Sequence, residues 1–519
     1  MSVNVAVRFV VRSVVVALTS VGGAAAAADQ TLADAAKRAE WDMVRTLVEQ
    51  GTDVNGPQGD GATALHWASY WDDADGAALL IRAGADVNAA NDLGVTPLWT
   101  ACENGSAAMA FRLLDAGANP NLSLPSGETS LMTAARTGSA DVVRYLLDAG
   151  AAVDATAGRG QTALMWAVAQ QHADVVRALL EGGADVAAKS DVWTEVVKTS
   201  PEPWNPEYIA DLPQGGYTAL LFAARVGDLD ATKLLVAAGA DVNDAAPYGT
   251  SATVVAAHSG HGDVARFLLS RGADPNAADA GYTALHAAIL HKDATLVGAL
   301  VDRGADVNAE VLSSTPVRRD SVDFYLHPSY VGATPFWLAA RFNAPEIMRL
   351  LAQRGAETRF VHHPTYWEGT LAANKNRSQV NEGATTALMA AVGLGGRDPL
   401  VSVNRLDRIA ESAPVRSTRR EPNPVELEAV SLAAVKIATE FGVDVDVANA
   451  DGDTALHAVA ARGHDSIVDY LVAHGARLDV TNRSGETPLA LARRGRGRGP
   501  NTSPHQSTVE LLRRLGARE

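Results

Sequence analysis

Residues 129–150 have the sequence TSLMTAARTGSADVVRYLLDAG, and the spacing of its apolar residues predicts two short helices joined by a turn. Thr129 is suited to cap the first helix through its hydroxyl, and Gly138 is suited to end it. The apolar positions at helical spacing are Leu131, Ala134 and Ala135, then Val143, Leu146 and Leu147. One such pair cannot hide its apolar face from water, so its core requires neighbouring pairs.

The pattern recurs along nearly the whole chain. A Thr-Ala/Pro-Leu-His-like block begins at Thr63, Thr96, Thr129, Thr162, Thr218, Thr283, Thr334, Thr386, Thr454 and Thr487, with Ser251 in the same phase. The motif Gly-Ala-Asp-Val-Asn begins at Gly84, Gly239 and Gly304, with variants elsewhere. From Thr63 to Thr162 the period is 33 residues, and a degenerate first unit starts at Leu32. About twelve such units predict an all-α solenoid over residues 29–519.

These blocks resemble the ankyrin repeat. The resemblance implies a non-enzymatic scaffold that binds a protein partner, with no cofactor, no metal and no catalytic residue. In that family, partners contact the tips of the inter-repeat loops and the two residues that follow the paired small residues of each first helix. Here those residues are Tyr70 and Trp71, Glu103 and Asn104, Arg136 and Thr137, and Arg225 and Val226. Tyr70 and Trp71 are distinctive because two adjacent rings occupy a surface position.

Five insertions interrupt the period, at about 188–215, 310–332, 359–383, 393–424 and 493–506. The first three concentrate large rings in a chain with only 5% aromatic residues. The candidate partner-binding residues there are Trp193, Trp204, Tyr208, Phe324, Tyr325, Tyr330, His363, Tyr366 and Trp367. Two interpretations are open: the rings bind a partner, or they hold the insertions against the solenoid.

Other functions also remain open from the sequence alone. A small-ligand receptor or enzyme would require the polar groups of the insertions to gather in a deep pocket. His327, His362 and His363 would form a metal site only if two insertions meet. A secreted effector that acts in another cell would have the same repeats and a different destination. The sequence contains no phosphate-binding glycine loop, nucleophile elbow or His-Glu-x-x-His motif.

Charge and composition limit the partners. The 44 basic and 60 acidic side chains give a formal net charge of -16, so the surface as a whole repels nucleic acid and anionic membranes.

The single cysteine, Cys102, excludes an intrachain disulfide and is predicted to be buried and inert. His66, His286 and His457 occupy a position that holds Trp, Met, Leu or Val in other units, which predicts a packing role. We expect a monomer.

Residues 1–28 have the order of a secretory signal. Arg8 and Arg12 precede an apolar run at residues 14–18, and glycines and alanines follow to Ala28. The uncharged stretch after Arg12 is 16 residues, shorter than the ~20 that a membrane-spanning helix needs. We therefore expect cleavage near Ala28, a mature chain with no transmembrane segment, and a protein exported from a bacterial cell to the periplasm or the medium.

Overall fold

The computed structural model describes residues 31–198, 209–315, 326, 328–363, 383–395, 424–495 and 504–518. Within these ranges, 24 helices form twelve consecutive pairs, which we number as repeats 1 to 12. The first helices are α1 (Leu32–Lys37), α3 (Ala64–Trp71), α5 (Pro97–Asn104), α7 (Ser130–Thr137), α9 (Ala163–Ala169), α11 (Ala219–Val226), α13 (Ala252–His258), α15 (Ala284–Leu290), α17 (Pro335–Arg341), α19 (Ala387–Ala391), α21 (Ala455–Ala460) and α23 (Pro488–Arg494).

The second helices form the other layer of the stack. They are α2 (Trp41–Glu49), α4 (Ala74–Arg82), α6 (Ala107–Asp115), α8 (Ala140–Asp148), α10 (Ala173–Glu181), α12 (Leu229–Ala237), α14 (Gly262–Ser270), α16 (Ala294–Asp302), α18 (Pro345–Gln353), α20 (Pro424–Glu440), α22 (Asp465–Ala473) and α24 (Gln506–Arg514). First helices pack on first helices and second helices on second helices, and one continuous hydrophobic core runs from Leu32 to Leu512. The predicted helical solenoid is confirmed.

Repeat 4 shows how the local sequence produces each pair. The hydroxyl of Thr129 accepts a hydrogen bond from the Met132 amide at 3.3 Å and so caps α7. Gly138 ends this helix with φ of 87°, a left-handed conformation that favours glycine. In α8, Val143 and Leu146 are fully buried between the neighbouring helices.

A hydrogen-bond ladder joins consecutive repeats beside the second helices. The Asn121 side chain donates to Gly150 O at 3.0 Å and accepts from the Ala152 amide at 2.7 Å. The same two bonds recur at Asn55, Asn88 and Asn276. This explains the terminal Asn of the Gly-Ala-Asp-Val-Asn motif, because its amide satisfies backbone groups of the next repeat.

The junction between repeats 5 and 6 is built differently. Ala187 occupies the ladder position there, and its methyl group can form neither bond. An ion pair between Lys189 and Asp244, at 2.8 Å, crosses the junction instead. This junction also carries the first insertion, which forms an antiparallel hairpin of β1 (Val192–Lys198) and β2 (Ile209–Gly215). The sequence analysis did not predict these strands.

The other insertions are only partly described. A second small sheet pairs β3 (Val361–His362) with β4 (Thr385–Thr386). Beyond the fourth insertion, the second helix of repeat 10 begins at Pro424 and has 17 residues, and its Glu440 forms an ion pair with Arg349 at 2.9 Å. The proposed signal at residues 1–28 lies outside the described residues. The last described helix is α24, and its Val509 and Leu512 are buried.

Candidate functional site

The C-terminal end of α3 presents two aromatic side chains on the surface of the first-helix layer. Ala68 and Ser69 are fully buried against the adjacent first helices. Tyr70 and Trp71 follow them and are 38% and 48% exposed. The helix stops at Asp72, which adopts φ of 54°, so both rings lie at its end.

These rings belong to a cluster that hydrogen bonds hold in place. Tyr70 contacts Trp67 and Trp71 edge to face, with ring centroids 5.6 and 5.0 Å apart. Trp71 Nε1 donates to the carbonyl oxygen of Lys37 at 3.1 Å, and the Lys37 ammonium lies 5.0 Å from the centre of the Trp67 ring. Trp67 Nε1 donates to Gln58 Oε1 at 2.9 Å. Trp67, Tyr70 and Trp71 are called the aromatic cluster below.

An acidic group anchors the far side of the aromatic cluster. Gln58 donates from Nε2 to Asp34 Oδ1 at 2.5 Å, and the Thr31 hydroxyl donates to Asp34 Oδ2 at 2.7 Å. These two hydrogen bonds, that of Thr31 first, lower the pKa of the Asp34 carboxyl. A carboxylate held in this way fixes the Gln58 amide and, through it, the Trp67 ring.

A polar surface continues from the aromatic cluster across repeats 3 and 4. Asn104 donates from Nδ2 to the carbonyl oxygens of Ser69 and Tyr70 at 2.9 and 3.2 Å, which ties α5 to the end of α3. Arg136 donates to Glu103 at 2.5 Å, so an ion pair links α7 to α5. The residues predicted at this surface in repeats 2 to 4 therefore lie together. Arg225 and Val226 lie on α11 in repeat 6, where Arg225 is exposed and Val226 is half-buried.

The first-helix surface is less accessible farther along the stack. The residues that correspond to Tyr70 in repeats 8 and 9 are Leu290 and Arg341, and both are buried. Among the described residues, this surface is therefore less accessible in repeats 8 and 9 than in repeats 2 to 4.

The predicted aromatic residues of the insertions have different environments. Trp193 in β1 is half-buried, with the Arg159 guanidinium 4.2 Å from its ring centre. His363 is exposed. Trp204, Tyr208, Phe324, Tyr325, Tyr366 and Trp367 lie outside the described residues.

Tyr330 corrects one prediction of partner binding. Its side chain is 3% exposed, and its ring lies 6.2 Å from that of Trp337 and 5.6 Å from that of Phe342. Burial against the first helix of repeat 9 means that Tyr330 packs its insertion against the solenoid and offers no surface to a partner.

His362 is buried next to this packing contact. Its ring lies 4.4 Å from that of Trp337, and Nε2 is 3.0 Å from the carbonyl oxygen of Val331. Burial lowers the pKa of His362 to about 4. His327 lies outside the described residues, and no group of three or more metal-ligating side chains occurs in the part of the chain that the structure describes.

The histidines of the repeat block are structural, and they do more than fill space. His286 Nδ1 accepts from the Thr283 amide at 3.0 Å, so its proton lies on Nε2, which donates to Ala309 O at 2.9 Å. His66 and His457 form the same bridges to the following loops. Burial lowers the pKa of all three, to about 4 for His286. Cys102 is fully buried, and burial raises the pKa of its thiol.

No helix within the described residues is long and apolar enough to cross a membrane. A groove of about 540 Å³ lies between α18 and α20, with Leu350, Arg354 and Ile437 among its lining residues. It belongs to the second-helix layer.

Comparison with curated proteins finds short similarities. The chain is 34% identical over 126 residues to human ankyrin repeat domain-containing protein 63, which covers 23% of this chain and 32% of that protein. It is 48% identical over 42 residues to the Notch-regulated ankyrin repeat-containing protein of Xenopus tropicalis, covering 8% of this chain and 37% of that protein. The chain thus spans about a third of the length of these relatives.

Among solved structures, the chain is similar to the human ASB11 ankyrin repeat domain, with 29% identity and a TM-score of 0.38. The matched region covers 47% of this chain and 98% of the ASB11 domain. A family model described as ankyrin repeats (3 copies) matches residues 14–91, 32–124, 98–190, 220–311 and 427–517. These matches together cover more than half of the sequence, and the chain therefore belongs to the ankyrin-repeat family.

Proposed function

We propose that this protein is a non-enzymatic scaffold that binds a protein partner through the first-helix surface of repeats 2 to 4, with Tyr70 and Trp71 at its centre. The observation that carries this assignment is the exposure of two adjacent rings, 38% and 48%, at a surface position of the stack. Ankyrin repeats suggest protein partners, which agrees with a surface of this kind.

The physical basis is that the aromatic cluster is already ordered. Large rings bury much apolar area at a small entropy cost, and binding hot spots are rich in Trp and Tyr. The Trp71 indole is fixed by its hydrogen bond to Lys37 O, and the Trp67 indole by its hydrogen bond to Gln58. A partner would therefore meet a preorganised apolar centre, with Asn104 and the Glu103–Arg136 ion pair as its polar rim.

Replacement of Tyr70 and Trp71 together by serine tests this assignment. Capture of the partner should be lost while the helical circular dichroism signal is retained, because the buried residues of α3 are unchanged. A matched control replaces Phe111 and Tyr145, an exposed ring pair 5.2 Å apart in the second-helix layer. Equal loss of capture in both double variants would contradict the assignment.

Export to the periplasm or the medium of a bacterial cell is part of the proposal. It is supported by the order of Arg8, Arg12, an apolar run and an alanine stretch that ends at Ala28. Intact-mass measurement of the protein isolated from its own cells should give a chain that begins near residue 29. A cytoplasmic product that retains Met1 would contradict export.

A further inference from the structure

The β1–β2 hairpin has one edge that is suited to pair with another strand. Strand β2 carries Pro213, which lies opposite Thr194 of β1. Proline has no amide proton, so Thr194 and Pro213 form a pair without mutual hydrogen bonds. In an antiparallel ladder such pairs alternate with hydrogen-bonded ones, and their backbone groups point outward. The N–H and C=O groups of Val192, Thr194 and Val196 therefore point away from β2.

The side chains along this edge are accessible. Val192 and Val196 are 56% and 67% exposed, and Thr194 and Glu195 are exposed as well. The outer edge of β2 is a poorer template, because Pro213 removes one of its outward donors. An edge of β-branched residues with outward backbone groups is the kind of edge to which a further strand adds.

We propose that this edge pairs with β1 of a second copy of the chain, antiparallel and across a two-fold axis at Thr194. In that register Thr194 lies opposite Thr194 of the other copy, and Val192 lies opposite Val196 on both sides of the axis. All three pairs join residues whose backbone groups point outward, so each pair exchanges two hydrogen bonds. The edge is complementary to itself.

Side-chain charge selects this register. Trp193 lies opposite Glu195 of the second copy, and the Arg159 guanidinium is 4.2 Å from the Trp193 ring centre. The carboxylate is thereby brought towards a cation on each side of the axis. Centring the axis on Glu195 would place two Glu195 carboxylates opposite each other, which is unfavourable. If the two-fold axis lay between two residues, residues with outward backbone groups would lie opposite residues whose backbone groups point towards β2 of their own hairpin. Such pairs could not exchange hydrogen bonds.

The expected product is a concentration-dependent dimer. Two short strands bury little surface compared with the ~1,600 Å² of a standard interface, so the association is at the weak end of specific interfaces. This proposal departs from the monomer that we expected from the sequence. That expectation did not include the hairpin, because the hairpin lies in an insertion outside the repeat pattern.

Sedimentation velocity of the full chain over a range of concentrations tests the pairing. Thr194→Pro removes an outward amide that the hairpin does not use, and should weaken self-association about tenfold or more. Asp211→Pro is the matched control, because it removes an outward amide from the other edge and should leave the dimer intact. A sedimentation coefficient that stays monomeric at all concentrations, or equal effects of the two variants, would overturn the proposal.

Cysteine cross-linking tests the register and does not depend on the proline variants. In a Thr194→Cys variant the two introduced residues would have Cα atoms about 5.5 Å apart, within the range of a disulfide. In a Val196→Cys variant they would be about 14 Å apart, which is too far. Cys102 is buried and should not interfere. We expect a covalent dimer for Thr194→Cys only, and equal cross-linking of both variants would contradict the two-fold axis at Thr194.

Discussion

At the scale of single residues, His286 combines packing with two hydrogen bonds. Its side chain is completely buried, Nδ1 accepts from the Thr283 amide, and Nε2 donates to Ala309 O in the loop that follows repeat 8. Protonation of Nδ1 would replace an acceptor by a donor that faces another donor. Burial of the ring and this geometry both favour the neutral form.

The pKa of His286 predicts an acid-sensitive fold. Its pKa is about 4 in the folded chain and 6.5 in the reference state, so the unfolded chain binds more protons between these values. The contribution of neutral His286 to the free energy of unfolding is fully present above pH 6.5 and is lost as the pH falls towards 4. The loss is roughly 3 kcal/mol, at about 1.4 kcal/mol per unit of pKa difference. Urea unfolding at several pH values should show this loss.

Substitutions separate His286 from other titrating groups. His286→Met places at this position the residue that three other repeats carry, and should flatten the pH dependence. His363→Gln is the control, because His363 is exposed. An unchanged pH profile in the His286 variant would show that other groups cause the acid sensitivity.

The sequence predicted the environment of these histidines but not their chemistry. Their position alternates with Met, Leu and Trp in other repeats, and this indicates burial. Both hydrogen bonds depend on where the backbone of Thr283 and Ala309 lies after folding. The burial of Tyr330 could not be predicted in this way. Tyr330 lies in an insertion, and the insertions do not repeat, so no equivalent residue in another unit indicates burial or exposure.

At the scale of elements, the Asn ladder joins the loops that follow consecutive repeats. Asn121→Ala removes one donor and one acceptor that Gly150 and Ala152 use. We expect a loss of about 1–2 kcal/mol, since each net hydrogen bond contributes about 0.5–1.5 kcal/mol. Chemical denaturation would measure it. Asn121→Asp retains the acceptor and should lose less, and equal losses in the two variants would contradict the acceptor role.

The elements divide clearly into those that the sequence predicts and those that it does not. The helix start at Thr129 follows from a capping Thr that recurs in most repeats, and the helix end at Gly138 has counterparts at Gly105 and Gly227. The β1–β2 hairpin lies in an insertion, where no second copy supports a pattern. The run Val-Trp-Thr-Glu-Val-Val at residues 192–197 was nevertheless a β-strand signal within the sequence. Its partner β2 contains Pro and Gly and gave no such signal.

The aromatic cluster illustrates the same division. Tyr70 and Trp71 were predicted as surface residues from their place in the repeat, and the structure exposes both. Trp67 was not included, although it precedes them by one helical turn and so lies on the same face. The contributions of Lys37 and Gln58 come from repeat 1 and from the loop after it, so they required the fold.

At the scale of the whole molecule, stability is distributed between neighbours. Each pair of helices contacts mainly the pairs before and after it, so a local defect should spread only to adjacent repeats. Leu146 in α8 is fully buried, and Leu146→Ala should cost about 2–5 kcal/mol through the cavity that it leaves. Arg144→Ala, at an exposed position of the same helix, should cost much less.

Hydrogen exchange of the Leu146→Ala variant would show how far this defect travels. We expect faster exchange in repeats 3, 4 and 5, because their helices pack directly on α8 or on its partner α7. The effect should fall at the junction of repeats 5 and 6, where Ala187 cannot continue the Asn ladder and the Lys189–Asp244 ion pair takes its place. Repeats 8 to 12 should exchange as in the parent chain. A uniform increase over all twelve repeats would instead mean that the solenoid unfolds as one cooperative unit, and that the missing ladder bond does not interrupt the coupling.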